Sequence, residues 1–311
     1  MKHPKVTIIM ATYNRAHLLV EALESIVVQS FKNWECLIID DGSEDNTSDV
    51  VAHFLDKDER FKYFPREKEH IKGLPGCRNQ GLKLAKGELI IFFDDDDVVH
   101  PQNLELCVKV FVDYKPDFCF YKKQPFFDGN KSLDIKEQEI EIGKWVTTKD
   151  IESILKNIIP LASCTVMWSR NCFEKEIFNE NLMYAEEWEC YSRIISNRKI
   201  GLTINNILYF NRKHPNSNTG EFWKGNKVRT KSKINAVILV LQNLNNKNLL
   251  TPGLTKYFIR LGFSLKNSSI IYKTLNYSGA GPIKKLKYLV GYQIYPLLKP
   301  FFYLNKILKK N

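Results

Sequence analysis

The chain has 311 residues, 44% of them hydrophobic and 26% charged, an ordinary globular composition long enough to bury a real core. Its net charge of +11 is uneven: the first 221 residues carry 29 basic against 35 acidic residues, whereas residues 222–311 hold 17 Lys and Arg and no acid at all. Seven scattered cysteines (Cys36, Cys77, Cys107, Cys119, Cys164, Cys172, Cys190) form no CxxC pair, which speaks against a zinc site or a disulfide framework and for reduced thiols in a cytosolic setting.

In chain order, "KVTIIMATYNR" reads as a strand leading into a loop; its apolar run is too short for the core of a signal peptide. "AHLLVEALESIVVQS" places Leu18, Leu19, Ala22, Leu23, Ile26 and Val27 on one helical face. "ECLIIDDGS" is a second strand, ended by Gly42 and Ser43. A helix follows over "SEDNTSDVVAHFLDKD", capped near Asp45 or Asn46, then a short strand, "RFKYFPR". "LPGCRNQGLKLAKG" is a helix opened by Pro75 and Gly76 and stopped at Gly87, and "ELIIFFDDDD" is the next strand. Continuous apolar strands alternating with amphipathic helices predict an α/β fold: a Rossmann-like, mostly parallel sheet flanked by helices. Ligands of such sheets bind beyond the carboxyl ends of the strands. Three of those ends carry polar clusters: Thr12-Tyr13-Asn14-Arg15, Asp40-Asp41 and Asp94 to Asp97, which are expected to converge on one crevice.

After Pro101 the pattern changes. "QNLELCVKVFVDY" is a helix, "DFCFYKKQPFF" a strand, 128–145 a loop or hairpin, "KDIESILKNIIP" a helix, "CTVMWSR" a strand, "AEEWECYSRIISN" a helix, and "KIGLTINNILYFNRKHP" closes with strand. Residues 222–311 read as helices. The expected division is a domain over 1–220, in two halves (1–100 and 101–220), followed by a basic helical extension over 221–311. No run reaches the roughly 18 apolar residues of a spanning helix.

Four adjacent acids at a strand end suit a divalent cation, since Mg²⁺ and Mn²⁺ favour oxygen ligands and commonly bridge a carboxylate to a phosphate. A carboxylate such as Asp40 or Asp41 can accept from a ribose hydroxyl or a base N–H, although Asp40 could equally be a turn residue ahead of Gly42; Tyr13 could stack on a base. An NAD-type Rossmann enzyme is disfavoured because "ATYNRA" stands where a GxGxxG should follow the first strand. A metal-dependent phosphoesterase or a non-catalytic nucleotide-sugar-binding module would also use an acidic crevice.

"TYNR", "DDGS", "GCRNQGLKLAKGE" and "FFDDDDVVHP", in that order, resemble the nucleotide-sugar half of family 2 glycosyltransferases, which have the GT-A fold; the resemblance covers about residues 5–215. Ala11 stands where that family often has Pro or Thr, a change the backbone tolerates. The resemblance implies an inverting transfer from a nucleotide-diphospho-sugar, UDP by preference, to an acceptor hydroxyl in surface-glycan synthesis, with Mn²⁺ or Mg²⁺ as cofactor. Asp41, with Tyr13 and the loop of Thr12, Asn14 and Arg15, would contact the base, Asp40 the nucleotide, and Arg78 the diphosphate or sugar. Asp94 and Asp96 would be the Asp-x-Asp pair at the metal, with Asp95 between them at the donor. The family's Glu-Asp at a helix start falls on Glu186-Glu187, implying Glu187 as the base and Glu186 as a contact to sugar hydroxyls; here Glu replaces the usual Asp. Arg212 or His214 would touch phosphate.

The last thirty residues, "PIKKLKYLVGYQIYPLLKPFFYLNKILKKN", hold seven lysines among Leu, Tyr and Phe, with Pro296 and Pro300 expected to break any long helix. This suits the anionic inner face of a membrane near a glycan or lipid-linked acceptor, with the protein otherwise cytoplasmic. Nucleic acid is not expected as a partner, because it would leave the acidic crevice unexplained.

Overall fold

The computed structural model describes residues 3–128, 133–213 and 218–308. The chain forms two compact units, Met1–Ser232 and Lys233–Asn311.

The first unit begins with β1 (Val6–Thr12), α1 (Ala16–Val27), β2 (Trp34–Asp40), α2 (Thr47–Leu55), β3 (Phe61–Pro65), α3 (Leu74–Leu84) and β4 (Leu89–Asp94). These four strands pair in parallel in the order β3-β2-β1-β4. All of β2 and nearly all of β1 and β4 are buried, as a sheet covered on both faces requires of continuous Ile, Leu, Val and Phe runs. Register decides the site: Thr12 pairs with Asp40 and Ala11 with Asp94, so the polar ends of three strands finish at one level.

The elements that follow are β5 (Val98–Val99), α4 (Asn103–Tyr114), β6 (Phe118–Phe126), β7 (Ile142–Val146), α5 (Ile151–Leu155), β8 (Val166–Ser169), α6 (Glu186–Ser196) and β9 (Gly201–Arg212), with α7 (Asn218–Trp223) after them. Strand β8 runs antiparallel between β4 and β6, β9 pairs in parallel with β6, and β5 and β7 lie antiparallel on β9. The described sheet therefore has nine strands, a parallel half continued by a mixed half. This is the α/β architecture expected.

Helix α3 is buried along Pro75–Gly81, including Arg78, Asn79 and Gln80, because it lies hard against the sheet. A Cβ on Gly81 would stand 2.4 Å from Ile9 Cγ2, so only glycine allows that approach. The helix ends at Leu84 rather than at Gly87. Gly87 serves a different purpose: its N–H donates to Thr7 Oγ1 at 2.8 Å, and a Cβ there would meet the Thr7 backbone nitrogen at 2.5 Å.

Helix α8 (Lys227–Asn246) leads into the second unit, which continues with α9 (Pro252–Ser264), α10 (Ser268–Tyr277) and α11 (Pro282–Leu308). Thr251 Oγ1 and Asn267 Oδ1 accept from the Leu254 and Ile270 N–H groups and cap α9 and α10. Ile259, Ile271 and Leu275 form the core of this unit, joined by Phe263, Tyr288 and Tyr292. The expectation that Pro296 and Pro300 would end the helix is wrong: α11 runs through both. A proline removes one donor and bends a helix, and two prolines four residues apart lie on one side, so the remaining backbone bonds carry the helix on. Among the described residues no helix is long and apolar enough to cross a membrane.

Candidate active site

A crevice of about 710 Å³ opens at the carboxyl ends of β1 and β4 and is walled by α3, α6 and the end of β9. Thr12, Tyr13, Arg15, Asp41, Arg78, Asp94 to Asp97, Glu186 and Glu187 all line it. Asn14 and Asp40 do not. Asn14, in the left-handed region that asparagine tolerates, ties the two loops together: its N–H donates to Ser43 Oγ at 2.9 Å and its Oδ1 accepts from the Glu44 N–H at 2.8 Å. Asp40 accepts from the Ser43 N–H and hydroxyl at 3.0 and 2.6 Å and from the Tyr63 hydroxyl at 2.6 Å, so it shapes the turn. Asp41 is held by Arg66 Nε at 2.6 Å and faces the crevice. Tyr13 is exposed, with Lys72 Nζ 4.2 Å above its ring. His214 lies outside the described residues.

The four aspartates differ by partner. Arg15 Nη1 donates to Asp95 Oδ1 at 3.2 Å and to Asp96. The Arg212 backbone N–H donates to Asp97 Oδ1 at 2.7 Å and its Nε to the Asp96 carbonyl at 2.7 Å, while the rest of its guanidinium pairs with Glu21 and Asp128. Arg212 therefore straps the acidic turn to β9 instead of reaching out from it. Asp94 stands 3.6 Å from Arg78. Burial, reinforced by neighbouring carboxylates, pushes Asp97 up to about 8, and burial lifts Asp95 to about 7 despite the Arg15 charge. Asp94 is raised too, chiefly by burial, with Arg78 opposing.

Oxygens of Asp94 and Asp97 and the sulfur of Cys164 lie within 4.8 Å of one another. Burial and nearby carboxylates hold the Cys164 thiol well above its ordinary value, and sulfur is in any case a poor match for a hard, oxygen-favouring cation. The two crowded carboxylates, each costly to ionise alone, fit a hard divalent cation. Asp96, expected beside Asp94 at such an ion, lies next to it in the acidic turn and pairs with Arg15.

Helix α6 begins at Glu186 after Ala185, whose φ of 64° is strained for alanine and turns both glutamates inward. Glu186 is buried against Arg78, with Nη1–Oε1 at 3.1 Å, and burial plus its neighbour Glu187 raises it to about 8. Glu187 is only partly buried and looks into the crevice.

Three contributors were not singled out from the sequence. Ser163 Oγ accepts from Arg78 Nη2 at 3.1 Å. Lys72 covers Tyr13. Lys123, on β6, sits 3.7 Å from the Cys164 sulfur; burial works against its ammonium, but the carboxylates of Asp94, Asp97 and Glu187 outweigh it and raise its pKa. The signal was a Lys-Lys pair inside an otherwise apolar strand, "FCFYKKQPF".

Residues 7–178 match the family model described as glycosyl transferase family 2. The chain is 30% identical over 197 residues to the Escherichia coli protein named UDP-Glc:alpha-D-GlcNAc-diphosphoundecaprenol beta-1,3-glucosyltransferase WfgD, a match covering 63% of this chain and 71% of that protein. It is 32% identical over 205 residues to an uncharacterized glycosyltransferase of Rickettsia felis, covering 63% of this chain but only 31% of the Rickettsia protein. The match thus spans under a third of that relative's length. Among solved structures, TarS 1–349 of S. aureus in complex with UDP-GlcNAc aligns with a TM-score of 0.66 at 21% identity, over 88% of this chain and 79% of that one. A mannosyltransferase of Pyrobaculum calidifontis in complex with GDP-Man and Mn²⁺ aligns at 0.58 and 16% identity, over 98% and 84%. At these identities the structural likeness speaks for the GT-A fold.

Proposed function

The chain belongs to glycosyl transferase family 2, and from that premise we propose that its crevice moves a sugar from a UDP-sugar to an acceptor hydroxyl with inversion at the anomeric carbon. Membership sets aside the phosphoesterase and non-catalytic readings. The observation that carries the proposal is the gathering of Asp41, Arg78, Asp94 to Asp97 and Glu187, from separate elements, around one cavity of substrate size.

In this reading Asp41 and Tyr13 take the base, and Thr12 and Arg15 border it. Arg78, held by Glu186 and Ser163, presents its charge to the sugar and diphosphate. Asp94 and Asp97 would hold Mg²⁺ or Mn²⁺. When bound, such a cation neutralises the diphosphate and stabilises it as a leaving group. Glu187 accepts the acceptor hydroxyl's proton as its oxygen bonds to the anomeric carbon and the bond to the diphosphate breaks; one displacement needs one base. Glu186, buried and favouring its protonated form, steadies Glu187 and Arg78.

A thermal-unfolding experiment tests the donor side. Asp95, Asp97 and Glu186 titrate near 7 to 8 when folded, against ordinary values of 3.8 and 4.5. Between about 4.5 and about 8 the folded state binds more protons than the unfolded, so their contribution makes stability fall as pH rises. Asp58, held low by its bonds to Arg60, is ionised in both states across this window, while His100, lowered by burial, works the opposite way as a single group near neutrality. Tm of the protein without added cation should therefore decline from pH 5 to pH 8. Mn²⁺ with UDP-glucose in about hundredfold excess over Kd should raise Tm by about 5 °C or more, and more at pH 8 than at pH 5. A shift that is absent, or indifferent to Mn²⁺, counts against the donor and metal assignments.

The acceptor is proposed to be lipid-linked, as the name of the Escherichia coli relative states for that protein, and the work to be done at the inner face of the membrane. Helix α11 supports this. Ile283, Leu286, Val290 and Ile294, spaced three and four apart, are all exposed, and Lys284 and Lys287 stand beside the stripe. Tyr288 and Tyr292 on its other side join the unit's core. Such a helix lies in the headgroup plane of an anionic bilayer. Leu286→Asp with Val290→Asp, both on exposed positions, should abolish flotation with phosphatidylglycerol vesicles; undiminished flotation would refute the attachment.

A further inference from the structure

We propose that Tyr184, Phe222 and Trp223 form the platform on which a pyranose ring of the acceptor stacks beside the crevice. This deepens the glycosyltransferase reading by placing the acceptor sugar. Tyr184 lines the crevice two residues ahead of Glu186. The Phe222 ring stacks on it, with centroids 4.7 Å apart and planes 16° apart, and Trp223 packs edge-on to Phe222 at 5.4 Å. Trp223 is 79% exposed. Phe222 and Trp223 do not line the crevice themselves but continue outward from Tyr184 at its edge, and an indole left so open there is a surface awaiting cover.

Tyr184 and the residues ahead of the Phe222 ring are held in place. The Tyr184 N–H donates to Ser232 Oγ at 3.0 Å, and that hydroxyl donates back to the Tyr184 carbonyl at 2.8 Å. Arg229 donates to the Met183 carbonyl and pairs with Glu221 at 3.1 Å, which joins the start of α8 to α7. The surface is therefore preorganised and has flat apolar faces with a Glu221–Arg229 ion pair at its rim. A sugar ring matches that chemistry: its C–H face covers the aromatic carbon while its hydroxyls reach the polar rim. An acyl chain would have to desolvate the same ion pair with nothing in return.

The test titrates the full-length protein with methyl glycosides of glucose, galactose, mannose and N-acetylglucosamine, and separately with UDP-glucose, following tryptophan fluorescence. Subtracting the Trp223→Phe signal isolates Trp223. At least one pyranoside should change that signal and, by titration calorimetry, bind Trp223→Ala about tenfold or more weakly than wild type, with Trp223→Phe restoring much of the affinity. UDP-glucose should bind all three proteins alike. No response to any pyranoside, or equal affinity in Trp223→Ala and wild type, would overturn the platform. A failure of UDP-glucose to bind would strike the donor reading instead, and leave the pyranoside result to stand by itself.

Discussion

Glu187→Gln should lower kcat of sugar transfer by about 10²- to 10⁴-fold, the ordinary contribution of a positioned general base, while donor affinity stays within about twofold. The amide keeps the shape of the side chain and its hydrogen bonding but cannot take a proton. Of the two adjacent glutamates, Glu186 is committed to Arg78 and pushed up to about 8, mostly by burial, whereas Glu187 reaches into the crevice. Glu187→Asp should retain more turnover than Glu187→Gln, since it restores a carboxylate set back by one methylene. Radiolabelled transfer under saturating donor distinguishes the three proteins, and wild-type turnover by Glu187→Gln would remove this residue from the chemistry.

Arg78→Met should cost about 1–3 kcal/mol of folding stability, the range for leaving buried acceptors without their donor. The Arg78 and Glu186 side chains are 4% and 6% exposed, so water cannot replace the lost partner. Removing the guanidinium strands Glu186 and deprives Asp94 and Ser163 of a neighbour. Glu186 answers by staying protonated to higher pH, which shifts the penalty toward alkaline conditions. Arg78→Met with Glu186→Gln should recover part of the loss, because the amide carries no charge to leave unpaired. Arg78→Lys should recover little: one ammonium cannot address Glu186 and Ser163 through separate nitrogens as the planar fork does. Urea denaturation at pH 8 measures all of this, and a loss below about 1 kcal/mol for Arg78→Met would show that the pairing is not what holds α3 to α6.

Much of this was written in local pattern. The alternation of apolar strands with amphipathic helices needs no distant partner to be read, and β1 to β4 with their helices follow it. Polar clusters directly after apolar runs announced which strand ends would meet, because parallel strands joined by helical crossovers present their carboxyl ends together. The reading faltered where one residue's role depends on which side of the chain it occupies. Asp40 and Asp41 are neighbours, yet one shapes a turn and the other faces the crevice; successive residues at a strand end point to opposite sides. Lys123 carries no local sign of its surroundings: β8 and β4 bring Cys164 and Asp94 near it from far along the chain.

From its sequence alone this protein is determined to be an α/β chain with a parallel sheet in its first hundred residues, acidic strand ends and a basic helical tail, since periodicity and composition act over a few residues at a time. Only the tertiary structure decided which aspartate Arg15 takes, that Arg212 from β9 ties down the acidic turn 115 residues before it, and that Glu186 pairs with Arg78 while Glu187 faces the cavity. The physical reason is that a charge in a covered site takes its properties from whatever the fold sets within a few ångströms of it, and those neighbours come from strands and helices far apart in the chain.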